Sequence, residues 1–536
     1  MKIRYPAAGI MFLFFSLMVS GQEKDDSYIK GLNSITQSVL KAQLGFLASD
    51  WTEGRAAGEK GEYLAADYIA SMLQLYGIKP GGDPYRPRVF SSTPGGSERT
   101  YFQNFTLLKT MPGNDQVFKI KTADGSTIKT ITLTYNVDYV LRSLRQDIEI
   151  DAPVVFAGYG FKNEKLNFND YANIEVKGKF ILKIAGNPPF AREKLSLPEL
   201  SASSSETESM LRSMGAVGVI EFNPDITVVG VPQSPEFMNM SPAEGRPRSG
   251  RASAYFSIPG KTNPESLIRI STSVKAANEI LRGTGIVIED YIKSAGTGKP
   301  VRIPPLTGKY VYMKSEVLTT SVMVRNVVGI IEGNNPDQVI VLGAHYDHMG
   351  SGNGFIWNGA DDNASGTVGV MTAAKAIMAT GRKPDKTIIV ALWTSEEEGL
   401  LGSQYYVENL TYPLKNLRLY LNYDMISRYI SDDKPNGVIM VYNKSYSQFK
   451  NLTEANLKKY SINLTVDYQA SDNPAGPSDE SSFVEAGVPI IRLKTAHREE
   501  YHTPADEFTT IDWDIMEKIV KINFLNVWTL ANSQNW

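Results

Sequence analysis

The chain has 536 residues, 42% of them hydrophobic, with no cysteine, four histidines, and 55 basic against 58 acidic residues for a formal charge of −3. That length allows two to four domains at about 150 residues each, with ample material for a core. The near-balanced charge offers no general attraction to nucleic acid or an anionic membrane. Without cysteine there are no disulfides, thiolate zinc sites or cysteine nucleophiles, so His and carboxylates are left for any metal.

The N-terminal MKIRYPAAGIMFLFFSLMVSGQEKDD has a basic start, an apolar run from Ala7 to Val19, and small residues at Ser20 and Gly21 before a charged segment. This pattern predicts a secretory signal over residues 1–21, removed to leave Gln22. The run is too short for a span that needs roughly 20 apolar residues. The expectation is an exported protein, periplasmic or secreted, with no stable membrane anchor after signal removal.

Ser34 to Leu47 and Gly61 to Tyr76 carry apolar residues at helical spacing and predict two helices packed on a larger body. The Gly- and Pro-rich stretch from Gly77 to Ser97 reads as loop, and Tyr101 to Gly160 breaks into short β-rich pieces. The apolar runs Phe180 to Gly186 and Gly215 to Ile220 predict buried strands, and Pro232 to Ser253 reads as a Ser/Pro-rich loop. GKFILKIAG, ETESMLRSMG leading into GAVGVIEF, and SIPG before VKAANEILRG together resemble a protease-associated (PA) domain, giving a β-rich PA-like insert at 147–305. In families that carry it, such a domain is a non-catalytic cap or partner surface.

From Ser321 strand and helix patterns alternate: VMVRNVVGIIEG, VIVLGAH, a small-residue helix to Thr380, TIIVALW, a helix through GSQYYVENL, and LRLYLNYDMIS. Alternation of this kind implies an α/β fold with a mostly parallel sheet flanked by helices, where sites form beyond the C-terminal strand ends. The chain puts His345, Asp347, Asp362, the Glu396-Glu397-Glu398 run, Asp424 and His502 at such positions. His345 and Asp347 are two apart, so continued strand geometry would put both on one side, the Asp holding a ring N–H of the His, with His348 facing away.

Taken together, AHYDHMG, GADDNASG, SEEEGLLGS, NYDM and YHTPADE resemble the zinc aminopeptidase family of co-catalytic dizinc exopeptidases, over the chain outside the insert (residues 22–146 and 306–536). The resemblance implies two zinc ions per chain, one held by His345 and Asp424, the other by Glu397 and His502, with Asp362 bridging. It makes Glu396 the general base, Asp347 the residue that orients His345, and Tyr501 a hydroxyl that steadies the oxyanion. It also implies a cis peptide at Asp362-Asn363. Two dications roughly 3.5 Å apart repel by about 19 kcal/mol at an effective dielectric of about 20, so the carboxylates of Asp362, Glu397 and Asp424 are what make such a pair tolerable.

The implied activity is hydrolysis of peptide substrates by a metal-activated hydroxide, with aminopeptidase, carboxypeptidase and dipeptidase all open. Glu398, Glu480 and Glu499 favour reading a free amine, whereas Arg428, Arg492 and Arg498 could read a carboxylate. Glu480 departs from the family, which usually has His after Ser-Asp in this segment. The added carboxylate tips the expectation to an aminopeptidase. A glutaminyl cyclase-like acyltransferase and a non-catalytic binding protein are the remoter alternatives. His348 and His497 stand beside ligand motifs but off their positions, and read as supporting or structural.

Overall fold

The computed structural model describes residues 27–85, 98–142, 146–227, 229, 254–261, 267–298, 301, 303–352, 354–496, 498–534 and 536. The expected signal at 1–21, the loop expected from Pro232 to Ser253 and His497 lie outside the described residues. Among the described residues no helix is long and apolar enough to cross a membrane.

The strand Asn335–His345 is buried at every residue from Val339 onward, and Lys386–Trp393 is buried throughout. Unbroken burial means that both faces are covered, the usual condition of a parallel sheet. The two strands pair in parallel, Asn335–His345 also pairs in parallel with Leu417–Tyr423, and that strand pairs in parallel with Ile490–Lys494. Gly437–Asn443 runs antiparallel to Ile490–Lys494 and carries Thr465–Ser471 as a parallel edge.

Alternation sorts side chains into two layers. Ile340, Leu342 and Ala344 enter a large core with Leu40 and Leu44 of the helix Gln37–Leu47 and Ile69 and Leu73 of Lys60–Leu75. Met371 and Ile377 of Gly366–Ala379 and Ile519 and Ile522 of Trp513–Asn532 complete it. Val339 and Val341 go to the opposite face with Trp393, Tyr406, Tyr420 and Phe483. The sheet is thereby sandwiched between two apolar layers.

Two 23-residue strands, Phe102–Asp124 and Lys309–Ile331, join this body to a second one. Lys309–Ile331 pairs with the parallel body over Val327–Ile331 and with Ile148–Phe156 over Tyr310–Ser315. Beyond it lie the parallel strands Ile148–Phe156, Phe180–Ile184, Gly218–Phe222 and Ile268–Thr272, with Tyr139–Leu141 antiparallel at the edge. Helices Leu197–Ser213, Val274–Leu281 and Ile288–Ala295 accompany them. This second core draws on residues from Phe118 to Met313, so it starts upstream of residue 147 and reaches past 305.

Candidate metal centre

Four parallel strands end side by side at His345, Trp393, Tyr423 and Lys494, and the residues just beyond supply the polar groups. Ser395, Met425 and His502 each have a left-handed φ, 56, 55 and 56°. Non-glycine residues hold that conformation where their surroundings over-determine it, and each of these is, or adjoins, a residue of the cluster.

Asp362 lies in the turn Ala360–Ser365 that starts the helix Gly366–Ala379. Asp506 places it, accepting the backbone N–H of Asp361 and of Asp362 at 2.9 Å each. Asn363 ties the turn to the neighbouring strand end, accepting the N–H of Gly366 (2.9 Å) and Met425 (3.2 Å) and donating to the Tyr423 carbonyl (3.0 Å). A Cβ on Gly366 would lie 2.1 Å from the Tyr423 carbonyl oxygen, so the close approach needs glycine. The Asp362-Asn363 peptide is cis.

The carboxylate of Asp362 faces two imidazoles, Oδ1 lying 3.4 Å from His345 Nε2 and Oδ2 3.0 Å from His502 Nε2. His345 Nε2 also lies 3.5 Å from Asp424 Oδ1 and 3.9 Å from Glu396 Oε2, and His502 Nε2 lies 3.3 Å from Glu397 Oε2. Tyr501 stacks its ring on His502 with centroids 3.8 Å apart. All eight residues expected at the site from sequence are therefore gathered at these strand ends.

Asp347 is arranged differently from expectation. Its carboxylate is 3.8 Å from His345 Nδ1, which lies closer, at 3.2 Å, to the Asp347 backbone carbonyl. The carboxylate instead accepts the backbone N–H of Glu396 (3.0 Å) and Glu397 (3.3 Å), and so fixes the loop that carries both. His348 does not face away: its Nδ1 is 2.7 Å from Glu397 Oε1. The strand ends at His345, so its two-residue alternation does not extend to position 348.

Glu480 and Arg492, set on opposite sides of the amine-versus-carboxylate question, are bound to each other. Both are buried, with Nη1 of Arg492 donating to Glu480 Oε1 at 2.5 Å. Neither is free to read a substrate. Arg428 is buried, its Nη2 donating to Thr510 Oγ1 at 2.5 Å, and Arg498 pairs with Asp432 at 3.2 Å.

Sequence reasoning missed several residues that support the cluster, Asp506 among them. Arg55, fully buried, donates to the carbonyls of Leu47 (2.5 Å), Tyr346 (2.7 Å), Asn358 (2.7 Å) and Gly359 (3.0 Å), clamping the segments that carry His345 and Asp362. Burial draws its pKa down to about 10, against the pull of Asp347, Asp506, Asp362 and Glu397, so it stays cationic at neutral pH. Glu62, whose carboxyl burial raises to about 8, meets the Gly58 N–H at 2.6 Å and the hydroxyls of Thr394 and Tyr346. Asp479 is buried beside the cluster, and burial holds its carboxyl up at about 7.

The charge pattern of the cluster fits a cation. Burial opposes ionisation of Asp362, yet its contacts with His345 and His502 hold it well below the usual carboxylate range. Burial also opposes Glu397, which His502 helps bring down to about 2. Burial disfavours charge on the imidazoles too, but Glu396, Asp362 and Asp424 raise His345 well above its ordinary value, and Glu397 and Asp362 raise His502 to about 10. Crowded buried carboxylates that draw protons onto adjacent imidazoles are short of positive charge, the condition that a bound cation relieves. Donor atoms of His345, Asp362 and Asp424 lie within 4.8 Å of one another, as do those of His348, Asp362 and Glu397. An all-nitrogen-and-oxygen donor set of this kind suits zinc.

The architecture is that of solved aminopeptidases along nearly the whole chain. An aminopeptidase from Aneurinibacillus sp. strain AM-1 aligns with a TM-score of 0.57 at 18% identity, over 96% of this chain and 97% of that one. A peptidase M28 precursor from Shewanella amazonensis aligns with a TM-score of 0.54 at 17% identity, over 96% and 98%. Residues 326–527 match the model of peptidase family M28.

Among curated relatives, leupeptin-inactivating enzyme 1 of Streptomyces exfoliatus is 30% identical over 227 residues, covering 38% of this chain and 48% of that protein. Leucine aminopeptidase 2 of Arthroderma otae is 35% identical over 179 residues (32% and 33%), and aminopeptidase Y of Saccharomyces cerevisiae 27% over 242 residues (41% and 42%). The matched stretch spans less than half the length of each of these relatives.

Proposed function

We propose that this chain is an exported, zinc-dependent aminopeptidase that releases N-terminal residues from peptides. The observation that carries the reading is the shared carboxylate of Asp362, one oxygen turned to His345 and the other to His502. One ion would be held by His345 and Asp424, a second by Glu397 and His502, and both by Asp362. When bound, zinc polarises the scissile carbonyl and lowers the pKa of water from about 16 to about 7.

The protein's own groups do the rest. Glu396 sits beside His345 with its carboxyl raised well above the usual range, by burial first and by Glu397 and Asp479 after it, although His345 pulls the other way. A carboxyl so raised can take a proton from water and return it to the departing amine nitrogen, which a Glu at about 4.3 would do poorly. Asp347 fixes the backbone of Glu396 and Glu397, so proton carrier and ligand move as one unit. Tyr501, beside His502, offers a hydroxyl to the carbonyl oxygen as it gains charge.

With Glu480 and Arg492 neutralising each other, the aminopeptidase direction rests on the relatives named leucine aminopeptidase and aminopeptidase Y. The PA-like insert is taken as a cap on the peptidase body without catalytic groups of its own. The test is hydrolysis of an aminoacyl-nitroanilide panel with free and acetylated amino groups. Cleavage restricted to free amines is expected. Indifference to acetylation, or cleavage restricted to peptides with a free C-terminal carboxylate, would replace the aminopeptidase with a carboxypeptidase.

A further inference from the structure

The strand Ile490–Lys494 lies between Leu417–Tyr423 and Gly437–Asn443, and Arg492 is at its centre, paired across to Asn422 on one side and Val441 on the other. A position enclosed by two strands is normally apolar. Here Arg492 is 5% exposed, Asn422 2% and Glu480, the first residue of the helix Glu480–Glu485, 1%. Buried charges persist when they are paired and hydrogen-bonded, and these are joined in one chain through both terminal nitrogens of Arg492, its Nε alone having no partner among the described residues. Trp393 Nε1 donates to the Tyr420 hydroxyl (2.9 Å), which donates to Asn422 Oδ1 (2.9 Å). Asn422 Nδ2 donates to Glu480 Oε2 (2.5 Å), Arg492 Nη1 donates to Glu480 Oε1 (2.5 Å), and Arg492 Nη2 donates to Asp424 Oδ2 (3.2 Å). Gly476 covers the pair: a Cβ there would lie 2.2 Å from Glu480 Oε1 and 2.9 Å from Arg492 Nη1.

The end of this chain is Asp424. Arg492 occupies Oδ2, and the other oxygen, Oδ1, faces His345 Nε2 at 3.5 Å. A guanidinium alone would hold Asp424 but would also repel a cation beside it. Glu480 cancels that charge, so Asp424 keeps its negative charge for a ligand while its orientation is set. We infer that Arg492 and Glu480 form a neutral bracket that positions Asp424, presenting one carboxylate oxygen to the ion shared with His345 and leaving the His502 side of the site untouched. This rests on the metal reading above. The two residues are positioning groups for one half of the centre, twelve positions apart in sequence and joined only by the fold.

The test is stepwise zinc affinity by chelator competition, with melting of the metal-free protein, on the full chain, on Glu480→Gln, and on a double variant carrying Glu480→Gln and Arg492→Met. Glu480→Gln leaves the guanidinium uncompensated beside the ion. The double variant removes the buried charges together and leaves Asp424 without its anchor, so it separates positioning from unpaired burial. In each, one binding step should weaken about 10–100-fold, the range for groups that orient a ligand, with the other step changed less than about 3-fold. Metal-free melting of the double variant should stay close to the parent's. Unchanged affinity at both steps, or equal weakening at both together with lower metal-free melting, would overturn the inference. A parent chain that binds two zinc ions while the variants do the same isolates the failure to this bracket; a parent that binds none overturns the metal reading with it.

Discussion

The parallel strand ends and the second body treat buried charge in opposite ways. In the second body Asp170 accepts the Phe161 N–H (3.0 Å) and the Tyr291 hydroxyl (3.1 Å), Asp138 accepts the Thr134 N–H (3.0 Å), and Lys183 pairs with Glu221 (2.8 Å). Each of these groups is met locally by a partner of its own. At the strand ends Asp347, Asp362, Glu396, Glu397, Asp424 and Asp479 crowd around three imidazoles, with titration shifted in both directions. A fold gains nothing in stability from such crowding, since burying like charges together is unfavourable. The contrast teaches that the cluster is there for a ligand, whereas the second body's polar groups serve its own packing.

Removing a charge should therefore cost function in the first region and only stability in the second. The largest effect is expected for Glu396→Gln, which should lower turnover by about 10²–10⁴ or more while keeping zinc content and fold, because proton transfer alone is lost. Zinc analysis of the variant checks this, and lost zinc would exchange the roles of Glu396 and Glu397. Next is Asp506→Asn: an amide has one acceptor oxygen for the two N–H groups of Asp361 and Asp362, so Asp362 should be misplaced and zinc affinity should fall about 10–100-fold. Unchanged affinity would mean that the turn holds Asp362 without Asp506.

The smallest effect belongs to Asp170, whose carboxyl is raised by burial to about 6, the Phe161 N–H and Tyr291 contacts opposing. A carboxyl raised in the folded state stabilises below its unfolded pKa, and that contribution is lost as pH rises through about 6. Between pH 5 and pH 7 the parent should therefore lose about 1 kcal/mol relative to Asp170→Asn, read by urea unfolding, with peptidase activity unaffected. A pH-independent difference would show that Asp170 is not protonated in the folded chain.

His345, the Glu396-Glu397 pair and Asp424 were legible as strand-end residues because apolar runs such as Val339 to Gly343 precede them, while their roles, and the place of His502 and Tyr501, came from the resemblance of the motifs. The helix pattern after GADDNASG likewise placed Asp362 at a helix start. What stayed hidden depends on contacts between distant segments. Arg55 reaches Tyr346 and Gly359 from an N-terminal turn, and its sequence neighbours give no sign of that. Glu480 read as a substrate-side carboxylate because nothing local reveals that Arg492 lies against it. His348 was assigned by extending a strand that stops at His345. The change from one body to the next left no break in composition, since Phe102–Asp124 and Lys309–Ile331 are continuous strands shared by both.

The central claim is that the strand-end cluster exists to hold two cations around Asp362. Metal analysis of the purified full chain tests it most directly, combined with melting before and after chelation. Close to two zinc per chain, with activity and several degrees of melting temperature lost on chelation and regained on zinc addition, is the expected result. One zinc per chain with full activity, or full activity and unchanged melting after complete metal removal, would contradict it.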